Sequence, residues 1–316
     1  MSTMSKIIIG IHGLGNKPPS RQLQRWWETA ILEGLEGRDR LRFLRFKLVY
    51  WASVLHPEAY DLSISDMDDP LFLHEPYARG NKEGLNKNWK KEKKFIRDRF
   101  NDQMDRIFLE KDGSLNFSRL TDFMLKHFVN DLDLYYKNDE TQPRERICRL
   151  LADTLTKHRR KKILLIAHSM GSIIAWDVLT RWVPHIRIHT LVTIGSPLGN
   201  PVIRSKMLSD MKDIGGTPPL LKTPENIYGS WYNLADYKDR VAISYDLEND
   251  FLPNSRLVQP RDRLIWNNYE YKGERNPHKS YGYLRCPEMS DILSEFYKSK
   301  FNFKMLLPVQ GRNLRV

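Results

Sequence analysis

Residues 162–179 constrain this chain more than any other stretch. Lys162-Ile163-Leu164-Leu165-Ile166 is an apolar, β-branched run. Ala167-His168-Ser169-Met170-Gly171 follows, and then Ser172-Ile173-Ile174-Ala175-Trp176-Asp177-Val178-Leu179. The first run reads as a buried strand and the last as a buried helix. Nothing separates them except one tight turn with a serine at its centre. Small side chains at 167 and 171 let strand and helix approach closely. A buried strand leading into a buried helix is the repeating unit of a parallel sheet covered on both faces.

A serine on such a turn is lifted above the edge of the sheet, the arrangement called a nucleophile elbow. The usual pattern is G-x-S-x-G; here Ala167 stands for the first glycine, a departure of one methyl group. A nucleophilic Ser169 needs a base, an orienting acid and donors for an oxyanion. In the elbow arrangement these follow in the order serine, acid, histidine. Three histidines come after the serine: His185, His189 and His278. The first two flank the next apparent strand, Ile186 to Ile194, which leaves His278 as the base. It sits in a polar loop, Arg275-Asn276-Pro277-His278-Lys279-Ser280-Tyr281. For the acid, Ile227 to Leu234 reads as a strand and the loop Ala235 to Val241 follows it. Asp239 is the preferred acid, at the start of the next extended segment. Asp236 is the alternative and also suits a turn cap.

The first backbone amide after the nucleophile, that of Met170, is one expected oxyanion donor. The N-terminal strand Ile7-Ile8-Ile9-Gly10-Ile11 runs into His12-Gly13-Leu14-Gly15-Asn16, a glycine-rich loop. Leu14 is the expected second donor, with Gly13 next. His12 is read as shaping the loop, and His168 as pointing away from the chemistry. The glycine spacing is not that of a dinucleotide loop, and no phosphate-loop Lys-Ser/Thr pair follows.

With these residues the chain resembles the α/β-hydrolase superfamily, and its lipase-like serine esterases in particular. The matching pieces are His12-Gly13-Leu14-Gly15, Ala167-His168-Ser169-Met170-Gly171, Gly195-Ser196-Pro197, Asp239 and His278. The likeness spans residues 5–51 and about 143–300, with the stretch between unmatched. It implies hydrolysis of an ester, thioester or amide through an acyl-serine intermediate. The expected architecture is an α/β-hydrolase fold: one domain over residues 1–316, a mostly parallel sheet with helices on both faces, and an inserted helical cap at 54–140.

The rest of the chain is read around that frame. Pro18 to Gly37 is an amphipathic helix capped by Ser20, with Leu23, Trp26, Trp27, Ala30, Ile31 and Leu35 on its apolar face. Leu41 to Trp51 is a strand. Pro143 to His158 is a helix burying Ile147, Leu150, Leu151 and Leu155. The elbow helix runs to Trp182, Asn200 to Asn226 is a loop, and the last helix runs from Pro287 into Lys298 and Lys300. Within 54–140, Asp61, Asp66, Asp68 and Asp69 precede a basic segment, Lys82 to Arg99. Two amphipathic patterns follow, Phe95 to Phe108 and Phe117 to Leu132. They suit either surface helices or a lid over Ser169.

The 316 residues carry a net charge of +12, which favours anionic partners. Expected partners are a small-molecule or lipid ester substrate and an anionic membrane surface. Nothing resembles a nucleic-acid module, so nucleic acid is not expected. No apolar run reaches the roughly 18–20 residues that span a bilayer. No signal peptide precedes the first strand, and Cys148 and Cys286 have neither metal nor disulfide spacing; the expected location is cytoplasmic. No metal and no other cofactor is expected. Three functions compete: a serine hydrolase of carboxylic esters, a membrane-associated lipid or phospholipid acyl hydrolase, and a non-catalytic interaction module on a hydrolase fold.

Overall fold

The computed structural model describes residues 5–36, 44–80, 131–137, 140–212, 221–242 and 246–299. Its centre is a six-stranded sheet. The strands are β1 (Lys6–Ile11), β2 (Phe46–Val49), β3 (Lys162–His168), β4 (Ile188–Ile194), β6 (Ile227–Asp236) and β8 (Pro260–Ile265), in the order β2-β1-β3-β4-β6-β8. Every pairing in it is parallel. Short strands β5 (Leu221–Lys222) and β7 (Phe251–Leu252) pair separately, and β9 (Glu270–Tyr271) forms a hairpin with β10 (Glu274–Arg275).

Side chains alternate between the two faces, as the pleat requires. Ile7, Ile9, Ile11, Ile163, Leu165 and Ala167 pack with α3 (Pro143–Lys157) and α4 (Met170–Asp177). Ile8, Leu164, Ile166, Val192 and Ile194 pack with α1 (Ser20–Leu35), α7 (Ser280–Arg285) and α8 (Pro287–Lys298). Burial on both faces is why β1 and β3 read as continuous apolar runs instead of alternating ones. The remaining helices are α2 (Ala52–Leu55), α5 (Pro201–Lys212) and α6 (Leu247–Asp250). This is an α/β-hydrolase fold, with helices on both faces of a parallel sheet.

The register decides where the loops emerge. Ile11 pairs with Ala167, Ala167 with Thr193, and Thr193 with Asn233. The chain segments that follow β1, β3, β4 and β6 therefore leave from one edge. The strand order also reverses at β1, with β2 on one side and β3 onward on the other. A reversal of this kind opens a crevice at the carboxyl ends of the strands. Here it falls between the His12–Gly15 loop and Ser169.

Several local expectations are corrected. Ser20 is the first helical residue of α1, not its cap; the cap is Pro19, whose carbonyl accepts from the amides of Gln22 and Leu23. Leu150 is exposed on α3. The elbow helix is α-helical only to Asp177; Val178–Trp182 is a π segment, closed by the Val183 amide donating to the Val178 carbonyl. His189 lies inside β4 and packs on Tyr228 and Phe296. The supposed loop from Asn200 contains α5. Asn200 Oδ1 accepts from the Val202 amide, and Pro201 occupies the first turn. Residues 41–43, the whole basic segment Lys82 to Arg99, the whole pattern Phe95 to Phe108, the second pattern up to residue 130, and Lys300 lie outside the described residues.

Candidate active site

Ser169 joins β3 to α4 with φ 52° and ψ −128°. A side chain at such a φ is strained and persists only where its surroundings impose it. Three contacts do so. The Ser169 amide donates to Ile194 O at 3.0 Å, and its carbonyl accepts from the Ser172 amide at 2.8 Å and from Ser172 Oγ at 2.6 Å. Close packing adds to this: a Cβ on Gly171 would lie 2.7 Å from the His12 carbonyl oxygen. That spacing admits hydrogen alone at position 171.

Ser169 Oγ lies 3.0 Å from His278 Nε2. His278 Nδ1 lies 2.9 Å from each oxygen of Asp239. A carboxylate only accepts, so Nδ1 carries the proton and Nε2 is left to accept from the serine. All three residues are buried. Asp239 is held by more than His278. Its Oδ1 accepts from the amides of Val241 at 3.0 Å and Ala242 at 3.3 Å. Its Oδ2 accepts from the Tyr283 hydroxyl at 2.7 Å. That hydroxyl in turn accepts from the Asp236 amide at 2.9 Å. Burial, with Asp239 and Asp236 nearby, pushes the Tyr283 phenol well above its usual range, so it remains a donor. Asp239 sits on a turn and does not begin an extended segment.

Asp236 is not in contact with His278. It ends β6, caps the turn through the Lys238 amide at 2.9 Å, accepts from the Asn267 amide at 2.7 Å and pairs with Arg275. Arg275 is itself stacked on Trp266, with its guanidinium carbon 3.8 Å from the ring centre. Burial raises the Asp236 carboxyl and Arg275 opposes the rise. The two aspartates thus have separate partners.

The loop bearing His278 is tied down from three sides. Asn276 Oδ1 accepts from the His278 amide at 2.9 Å. Asn267 Nδ2 donates to the carbonyls of Pro277 and Lys279, each at 2.8 Å. Glu75 receives Asn276 Nδ2 at 2.9 Å and Lys279 Nζ at 3.0 Å. His168 does not point away from this region. Its Nε2 donates to the His278 carbonyl at 2.8 Å, and the two rings lie 4.9 Å apart. Burial, then the neighbouring His278, pushes His168 well below its usual range and keeps it neutral.

The His12–Lys17 loop faces Ser169 across the crevice. A Cβ on Gly13 would come within 2.7 Å of Ser169 Cβ, so the backbone there lies against the serine. His12 shapes the loop: its Nε2 accepts from the Trp51 amide at 3.0 Å and its carbonyl accepts from the Trp51 indole at 2.9 Å. The Gly15 amide is taken by Asp131 at 2.5 Å. Lys17 Nζ donates to the carbonyls of Leu14, Gly15 and Asn16. Burial and then the nearby Lys279 push Lys17 down to about 7, against the pull of Asp131. Met170 opens α4, so its amide is among the helix's unpaired donors.

Gly195 and Tyr283 are two residues of this constellation to which the sequence assigns no function. Gly195 has φ 53°, and a Cβ there would lie 2.9 Å from Asp239 Oδ2 and 3.2 Å from His278 Nδ1. The Gly-Ser-Pro motif after β4 was the available signal for it. Tyr283 had none, because a tyrosine on an apolar helix face reads as core. Among the described residues no group of three or more His, Cys, Asp or Glu is arranged to hold a metal ion.

Residues 78–212 match a family described as PGAP1-like alpha/beta domain, which is of the α/β-hydrolase type and lipase-like. The chain is thus similar to the α/β-hydrolases in this matched stretch as well as in its fold. The match contains the elbow with Ser169 and ends before Asp239 and His278. It also covers residues 78–142, a stretch for which the sequence motifs had suggested no likeness. No curated protein matches the chain. No helix among the described residues is long and apolar enough to cross a membrane.

Proposed function

We propose that this α/β-hydrolase is a serine hydrolase that cleaves a carboxylic ester through an acyl-serine intermediate. The observation that carries this reading is the 3.0 Å approach of His278 Nε2 to Ser169 Oγ, with Asp239 2.9 Å behind Nδ1. In the acylation step Ser169 Oγ attacks the ester carbon while His278 accepts its proton. Asp239 fixes the imidazole tautomer and stabilises the imidazolium that forms. The carbonyl oxygen becomes an oxyanion, received by the Met170 amide and by the Leu14 amide, with Gly13 beside them. The Gly15 amide takes no part, because Asp131 occupies it. His278 then protonates the departing alkoxide. Water enters in its place, gives a proton to His278 and attacks the acyl carbon. The tetrahedral intermediate releases the acid and restores Ser169.

The test is an active-site probe joined to kinetics. A fluorophosphonate should label one serine, and peptide mass spectrometry should place the adduct on Ser169. Ser169→Ala should lower turnover of an activated ester by on the order of 10⁴-fold or more. Labelling of a different serine, or undiminished turnover by Ser169→Ala, would refute the assignment and favour an interaction module on this fold.

A further inference from the structure

A cavity of about 420 Å³ lies apart from Ser169, between the segment at 131–137, α3, the π segment and α5. That volume suits a small organic ligand. Its walls combine the cations Arg144, Arg181 and Lys206 with the rings of Tyr135, Tyr136 and Trp182. We propose that this cavity is a second binding site, for a phosphate group carried on an organic body.

Arg144 is the fixed part of the site. Its guanidinium binds Asp177 through Nε at 2.9 Å and Nη2 at 2.8 Å, and Asp210 through Nη1 at 2.7 Å. The guanidinium carbon lies 4.8 Å from the Tyr136 ring and 5.5 Å from the Tyr135 ring. Asp177 also receives the Tyr135 hydroxyl at 2.6 Å. Asp177 is therefore fully hydrogen-bonded within the wall, while Asp210 is held there by its ion pair with Arg144. Glu145, the acidic residue of the lining itself, is drawn to Arg149 at 2.5 Å.

Arg181 and Lys206 are the adaptable part. Arg181 comes only within 3.7 Å of Asp210, beyond hydrogen-bond range, which leaves its fork of donors for a ligand among the described residues. Lys206 Nζ lies 3.2 Å from Asp210 and 5.0 Å from the Tyr136 ring. The Tyr136 hydroxyl is buried and has no hydrogen-bond partner among the described residues. A buried hydroxyl left unpaired costs free energy, and a ligand oxygen would satisfy it. The π segment contributes a second, independent sign. Single turns of π-helix occur disproportionately at functional sites. This one carries both Arg181 and Trp182. A phosphate dianion can use the guanidinium, the ammonium and the hydroxyl together, and the rings can cover the organic remainder.

The phosphate can belong to a soluble ester or to a lipid headgroup, and the experiment separates them. Phenyl phosphate, and separately vesicles containing phosphatidic acid, are titrated into the full chain by calorimetry at low salt. The same titrations are repeated on Arg181→Gln, Lys206→Gln and Ser169→Ala. Phenyl phosphate binding that weakens about tenfold or more in Arg181→Gln and Lys206→Gln, and persists in Ser169→Ala, establishes the site for a soluble ester. Binding of the vesicles alone, with the same dependence on Arg181 and Lys206, establishes it for a headgroup. Binding of neither probe overturns the proposal, as does binding indifferent to both substitutions or matched by sodium benzoate. Lys206 is solvent-exposed, so its variant decides the matter if Arg181→Gln does not fold. Persistence in Ser169→Ala keeps this result separate from the fate of the esterase reading.

Discussion

The Tyr283 hydroxyl is the residue-scale feature that most needs a functional account. It donates to Asp239 and accepts from the Asp236 amide, so it fixes the spacing between the end of β6 and the turn that carries Asp239. A hydrogen bond to a charged group contributes about 2 kcal/mol. Tyr283→Phe should therefore lower kcat towards an activated ester by up to about 30-fold while leaving KM in place, as read by steady-state kinetics. An unchanged kcat would mean that the amides of Val241 and Ala242 suffice to hold Asp239. Gly195→Ala addresses the same carboxylate from the other side. A left-handed φ costs a non-glycine residue about 1–2 kcal/mol, and the added methyl would press on Asp239 and His278. The expected outcome is both a lower melting temperature and a loss of activity. A loss of stability without loss of activity would show that Asp239 can yield.

At the scale of elements, the turn after β6 separates two aspartates with different work. Asp239→Asn should reduce kcat by on the order of 10⁴-fold, because an amide in its place favours the wrong imidazole tautomer. Asp236→Asn should leave the chemistry standing and weaken the fold. Arg275 would remain largely buried without its counter-charge, a defect that costs about 3 kcal/mol or more. Kinetics and urea unfolding of the two variants together decide the assignment. The reverse result would make Asp236 the orienting acid. On the other face of the sheet, α3 and α4 meet through the pairing of Arg144 with Asp177, and the α-helix gives way to the π segment immediately after that aspartate.

At the scale of the molecule, the crevice at the sheet edge brings a partly buried lysine against the loop that faces Ser169. Lys17 is pushed down to about 7 from 10.5 by burial and by Lys279. Between these two values the unfolded chain binds more protons at this position than the folded one. Stability therefore rises with pH across the window, and below about pH 7 the full penalty of burying the charge is present. Lys17→Met should flatten the rise in unfolding free energy between pH 7 and 9 measured in urea. A rise as steep as that of the unmodified chain would assign the effect to other groups. Glu75 acts over a comparable distance in sequence, joining the 54–140 stretch to the His278 loop through Asn276 and Lys279.

The amino-acid sequence alone determined the strand–turn–helix around Ser169 and the fold class. Continuous apolar runs such as Ile7–Ile9 and Ile163–Ile166 need burial on both faces, and only a covered parallel sheet provides it. It also brought Asp239 and His278 forward as partners for Ser169, through chain order and the supply of histidines. It was less informative wherever a local signal had more than one solution. Ser20 looked like a cap, but Pro19 pre-set the helix entrance. Asn200-Pro201 was a legible helix start obscured by the glycines and prolines that follow it. Only the tertiary structure decided that His278 Nε2 stands 3.0 Å from Ser169 Oγ across 109 residues, and that Tyr283 and Gly195 flank Asp239. The physical reason is that periodicity reports which face of an element is buried. Which distant side chain meets it there depends on strand register and on loops whose hydrogen bonds close only when the whole sheet has formed.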